Sequence, residues 1–128
     1  MALRNPYNAY NQYKQNTVFT ASPEELTLML YNGMVKYANQ AMIAIEEKRI
    51  PQAHEAITRT SDIIMELNMT LNMDYEVSQG LRQLYDFLLN RLTEANIAKD
   101  KGIIEEILPL ITELRDTWKE AMELAKKK

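Results

Sequence analysis

Residues 22–37 of this 128-residue chain read SPEELTLMLYNGMVKY, and this stretch decides the fold class. Ser22 is a favourable N-cap residue, Pro23 suits the first helical position, and Glu25 completes a capping box. The apolar residues that follow recur every three or four positions, which is the spacing of one helical face. The stretch therefore predicts that a long α-helix begins at residue 22.

The same periodicity continues outward through the rest of the chain. The predicted helices cover about residues 22–48, 51–73, 80–99 and 101–125, with Asp100 as the N-cap of the last one. Four long helices joined by short connections predict an all-α protein, an antiparallel four-helix bundle. The scarcity of glycine (3) and proline (4) argues against a turn-rich β fold, and 46% hydrophobic residues suffice for a core.

Two residues inside these helices run against helix propensity. Gly33 is unfavourable in a helix by about 1 kcal/mol relative to alanine, which predicts a close approach between two helices there. Pro109 removes an amide from the last helix and predicts a kink.

The first 21 residues differ in composition from the bundle domain at residues 22–128. They contain no acidic residue and place Tyr7, Tyr10 and Tyr13 at a spacing that aligns them on one helical face. They are either a frayed terminus or an N-terminal arm that docks as a cap through its aromatic rings, and we predict docking.

Charge and composition exclude several function classes. All 18 acidic residues lie within residues 22–125, so the body is more acidic than the formal net charge of −3 indicates. An acidic body argues against nucleic acid as a partner. The absence of cysteine fits a reducing compartment. No apolar run approaches the roughly 20 residues of a membrane span, and we expect no leader segment. We therefore expect a soluble cytoplasmic protein without membrane insertion.

The first two helices carry more apolar residues than one core face needs. In the first helix a second stripe lies roughly 90–150° from the main one, and in the second helix methionines lie outside the core arc. Such surplus surface predicts a covering by the arm, by a second copy of the chain, or by a partner, and methionine suits varied apolar partners. The candidate partner-binding residues are Tyr7, Tyr10, Leu28, Tyr31, Val35, Met42, Met65 and Met69.

The residues for catalysis or metal binding are missing. His54 is the only histidine and there is no cysteine, so the sequence predicts no metal site, no cofactor and no enzyme. A phosphotransfer domain with a phosphorylated His54 on the second helix is a weak alternative, because the neighbouring residues lack the lysine and glycine that such sites carry.

Several segments in order along nearly the whole chain resemble the flagellar secretion chaperone family FliS. The segments are Asn5-Pro6-Tyr7 with Ala9-Tyr10, Thr20-Ala21-Ser22-Pro23-Glu24-Glu25-Leu26 running into Leu30-Tyr31-Asn32-Gly33, Ile64-Met65-Glu66-Leu67-Asn68, Leu84-Tyr85-Asp86-Phe87, Glu94-Ala95-Asn96 and Arg115-Asp116-Thr117-Trp118. Pro109 is a departure from the family pattern.

The resemblance implies a cytoplasmic export chaperone. Its client would be the disordered C-terminal region of flagellin, held in apolar grooves until delivery to the flagellar type III export apparatus. The export gate and a flagellin-linked regulator are further implied partners, and the chain would be a monomer or a homodimer. The alternative is a homodimerising structural or adaptor bundle that buries its methionines against a second copy.

Overall fold

The computed structural model describes residues 21–127, and these residues form four α-helices. They are α1 (Pro23–Glu46), α2 (Ile50–Met69), α3 (Val77–Ala98) and α4 (Lys101–Lys126). No strand occurs between residues 21 and 127, which agrees with the predicted all-α class. Apart from Ala21, the predicted arm at residues 1–21 lies outside the described residues, so its docking stays a prediction.

Two polar caps fix the beginnings of α1 and α4, as the sequence predicts. The Ser22 hydroxyl accepts a hydrogen bond of 3.2 Å from the Glu25 amide. The Asp100 carboxylate accepts one of 2.8 Å from the Gly102 amide. Each cap satisfies a backbone donor that has no partner within the helix, so each marks where the helix begins.

The connection between α2 and α3 comes earlier in the chain than the sequence predicts. α2 ends at Met69 and α3 already begins at Val77. The Ser78 hydroxyl donates to the carbonyl of Asn72, and the Ser78 amide donates to the carbonyl of Tyr75 at 3.1 Å. These bonds stabilise a compact turn. The apolar residues of this segment continue the helical spacing, so the spacing alone predicts the wrong helix ends.

The helices pack in a ring. α1 packs against α2 and α4, and α3 packs against the same two helices. Because consecutive helices are joined by short connections and lie side by side, they run antiparallel. α1 and α3 consequently occupy opposite corners of the bundle, as do α2 and α4.

All four helices contribute to one hydrophobic core. Its fully buried side chains include Met34 of α1, Ile64 of α2, Leu88 and Leu92 of α3, and Ile107 of α4. A set of apolar residues on the flanks of the helices packs around this centre. The core thus draws on all four helices, as a four-helix bundle requires.

The second stripe of α1 is largely covered by the other helices, and its role in partner binding stays a prediction. Tyr31 is only 5% exposed, and Val35 and Met42 are half-buried and pack against the core. Leu28 is also half-buried. The physical reason is that α1 contacts α4 as well as α2, so both flanks of its apolar arc are covered.

Gly33 has the role that the sequence predicts. A Cβ atom added there would lie 3.2 Å from Cδ1 of Ile63 on α2, so the glycine permits the close approach of α1 and α2. Pro109 lies on the exposed side of α4, which continues as one helix from Lys101 to Lys126.

Candidate functional site: an apolar groove at one end of the bundle

An apolar groove and several exposed apolar residues lie at one end of the bundle. In an antiparallel arrangement, the beginnings of α1 and α3 meet the ends of α2 and α4 there, and we call this the groove end. The residues that precede α1 also join the body at this end.

An apolar groove of about 410 Å³ opens between the first half of α3 and the second half of α4. The lining residues are Tyr31 of α1, Val77, Leu81 and Leu84 of α3, and Leu110, Glu113, Leu114, Thr117, Trp118 and Ala121 of α4. Glu113 is the only acidic or basic side chain among them. The groove therefore offers an incoming segment apolar contacts with little charge to desolvate.

One residue of the groove lining, Tyr31, takes part in a buried polar contact. The hydroxyl oxygens of Tyr31 and Tyr85 are 2.8 Å apart, and both residues are buried. Burial raises the pKa of each phenol above the ordinary tyrosine value of 10.0, and the hydrogen bond with Tyr31 raises the pKa of Tyr85 further. Both hydroxyls therefore stay protonated at neutral pH, and each keeps a hydrogen to donate.

Trp118 joins the wall of the groove to the beginning of α1. Its ring centroid lies 6.4 Å from that of Tyr31 with the planes tilted by 57°. Its indole nitrogen donates a hydrogen bond of 3.0 Å to the carbonyl oxygen of Glu24. The indole is thereby held in a fixed orientation beside the groove.

A series of exposed apolar residues leads along the chain towards the groove. Met65 is 49% exposed and Met69 is 77% exposed, which agrees with the prediction that these two residues lie off the core. Met73, Tyr75 and Val77 are also exposed, and Val77 lines the groove. The end of α2 and the connection to α3 therefore extend the apolar surface of the groove end.

The predicted partner-binding residues divide into four groups. Met65 and Met69 are accessible, whereas Tyr31, Val35 and Met42 belong to the packed interior, with Tyr31 reaching the groove. Leu28 is half-buried. Tyr7 and Tyr10 lie outside the described residues, so their role stays a prediction.

The sequence does not predict this groove, because the apolar residues of α3 and α4 have the spacing of ordinary bundle helices. Leu84 and Leu114 fit a core face by their spacing, and only the packing shows that α3 and α4 leave them half-exposed at the groove end. Only Leu110 indicates additional apolar surface on α4, because it lies roughly 90° around the helix axis from the centre of the buried face.

A second groove, of about 540 Å³, lies between α1 and α2 and is lined by both charged and apolar residues. Arg59 pairs there with Glu55 at 3.0 Å and also donates to the Tyr37 hydroxyl at 3.3 Å. Arg49 is likewise paired, with Glu47 at 2.8 Å. Because both guanidinium groups are already paired and exposed, this groove presents little unbalanced charge.

The remaining candidate chemistry finds no support in residues 21–127. His54 is exposed, and its Nδ1 atom lies 3.0 Å from the amide nitrogen and 3.3 Å from the amide oxygen of Asn96. No group of three or more His, Cys, Asp or Glu residues in this part of the chain is arranged to hold a metal ion. Within the same residues, no helix is long and apolar enough to cross a membrane.

Fold and groove together define a class: an all-α bundle with an open apolar groove, a surface that suits the apolar face of an amphipathic helix. The model of the family described as "Flagellar protein FliS" matches residues 6–125. The chain belongs to the FliS family, whose members are flagellar secretion chaperones and not enzymes.

Individual relatives agree with this assignment. The chain is 43% identical over 127 residues to a flagellar secretion chaperone of Bacillus subtilis, with 99% of this chain and 93% of that protein covered. It is 29% identical to the Vibrio cholerae chaperone, with 91% and 88% covered. A crystal structure of a bacterial flagellar chaperone has the same fold, with a TM-score of 0.74 over 93% of this chain and 98% of that one, at 21% identity.

Proposed function

We propose that this protein is a cytoplasmic export chaperone that binds the disordered C-terminal region of flagellin. Binding would keep flagellin from polymerising prematurely and would support its delivery to the flagellar type III export apparatus. The observation that carries the proposal is the apolar groove left open between α3 and α4, in a chain that belongs to a family of flagellar secretion chaperones.

The geometry supports a client that binds in more than one conformation. The groove runs between two helices, so an amphipathic helix of the client fits it with its apolar side inward. The exposed Met65 and Met69 and the turn that follows them suit a further, extended piece of the same client. A disordered client loses conformational entropy on binding, and a large covered surface compensates for that loss.

The arm takes part in this proposal as a removable cover. Residues 1–20 join the body at the groove end, where α1 begins. Tyr7 and Tyr10 would cover apolar surface while the client is absent and yield it when flagellin binds. The export gate and a flagellin-linked regulator remain proposed additional partners.

The principal competing function is a homodimerising structural or adaptor bundle. It is favoured by one observation, the exposure of Met65, Met69 and Met73 on one end of the molecule, since a second copy would bury them equally well. It differs from the proposed function in requiring no client.

Isothermal titration of the whole chain with the C-terminal region of flagellin from the same bacterium tests the proposal. Ala121→Glu places a charge at an exposed position in the groove, and we expect it to abolish or strongly weaken binding. Ala98→Glu makes the same change at an exposed position of α3 that does not line the groove. Equal affinity of these two variants would contradict docking in the groove.

A further inference from the structure

The Tyr31–Tyr85 pair holds one more hydrogen than it uses. Each neutral phenol carries a single hydroxyl hydrogen, and the bond between the two oxygens uses one of them. Among residues 21–127 neither oxygen has another hydrogen-bond partner. One donor in a buried site is therefore available, and a buried donor without an acceptor is destabilising.

We infer the direction of this donor from the position of the pair. Tyr31 lines the groove between α3 and α4, whereas Tyr85 does not. The arrangement that serves both groups has Tyr85 donating to the oxygen of Tyr31, and Tyr31 directing its own hydrogen towards the groove. The bond from Tyr85 polarises the Tyr31 hydroxyl and makes it a better donor.

We propose that the Tyr31 hydroxyl is a specificity determinant of the groove, donating a hydrogen bond to an acceptor oxygen of the docked client segment. This inference rests on the proposed function, because it takes a flagellin segment as the occupant. The other wall residues offer mostly apolar contact, which tolerates many sequences and registers. One donor at a fixed point selects the register that places an oxygen opposite it.

The chemistry of the acceptor follows from the backbone of the occupant. The carbonyls in the middle of a docked helix are already bonded within that helix. A side-chain oxygen of Asn, Gln, Ser, Thr, Asp or Glu on the inward face of the helix is free to accept the bond, as is a carbonyl where the client is extended. The client segment that fits this groove is apolar on its inner face with one oxygen acceptor among the apolar side chains.

Fluorescence of Trp118 measures occupancy of the groove directly, because it is the only tryptophan of the chain and lines the groove. The probe is a tryptophan-free C-terminal region of flagellin, titrated into the whole chaperone. Tyr31→Phe removes the donor and keeps the ring, and we expect it to weaken binding about 3- to 10-fold, the effect of one hydrogen bond. Tyr85→Phe keeps the Tyr31 donor, so we expect a change of less than about 2-fold.

Tyr37→Phe is the matched control, since the Tyr37 hydroxyl bonds Arg59 outside the groove and its loss should leave affinity unchanged. Thermal melts of each variant separate an effect on stability from an effect on binding. If the tyrosine pair has only a structural role, both Phe variants melt at a lower temperature, and Tyr31→Phe does not lose more affinity than Tyr85→Phe. Wild-type affinity in Tyr31→Phe overturns this inference alone. Failure of the wild type to bind overturns the proposed function as well.

Discussion

The indole nitrogen of Trp118 lies 3.0 Å from the carbonyl oxygen of Glu24, so a residue near the end of α4 is bonded to the first turn of α1. This bond closes the ring of helices at the end where the groove opens. It also holds the indole against Tyr31, which lines the groove. A contact between the first and last helices thus joins the groove wall to the first turn of α1.

Removal of this bond has a measurable effect on stability. Trp118→Phe keeps an aromatic ring beside Tyr31 but has no donor for the Glu24 carbonyl, and we expect a loss of about 1–2 kcal/mol in the free energy of unfolding. Urea unfolding followed by circular dichroism measures the change. An unchanged midpoint would mean that the bond contributes nothing to holding α4 on α1.

The core assignment predicts a large effect at Ile64. Its side chain is fully buried, so Ile64→Ala should lower the free energy of unfolding by about 2–5 kcal/mol. Met69→Ala is the control in the neighbouring turns of the same helix, and exposed as it is, it should change stability by less than about 0.5 kcal/mol. Similar melting temperatures for the two variants would contradict the register of α2.

The two buried phenols predict a loss of stability at alkaline pH. Burial raises the pKa of both phenols in the folded state, so above pH 10.0 the unfolded chain loses these protons before the folded chain does. The contribution of the two phenols to the free energy of unfolding is therefore fully present below pH 10.0 and is lost as the pH rises above it. The double variant Tyr31→Phe with Tyr85→Phe should show a shallower decline in the same range. If the free energy of unfolding falls equally with pH in the wild type and in the double variant, the two phenols do not cause the loss of stability.

The exposed methionines predict that flagellin binding can be lost while the fold is kept. Met65→Glu combined with Met69→Glu should leave the helical content and the melting temperature nearly unchanged, because both side chains lie off the core. The same charges should weaken flagellin binding strongly, since they would be buried without partners. An unfolded double variant would show that these residues support the core after all.

Local chemistry explains which features could be predicted from the sequence. Ser22 and Asp100 mark their helix starts because a cap depends only on neighbouring residues. The burial of Tyr31 could not be predicted in this way, since whether the flank of a helix is covered depends on which helix lies beside it. The helical period places Met65 and Met69 off the core, whereas the groove beside Leu84 and Leu114 arises from how far two helices stand apart.

Light scattering of the purified chain, alone and with an excess of the C-terminal region of flagellin, tests the central claim most directly. We predict that the species present with flagellin has the mass of the 14.9 kDa chain plus one flagellin region. We further predict that the Ala121→Glu variant fails to form this complex while Ala98→Glu forms it. A homodimer whose mass does not change when flagellin is added would contradict the account.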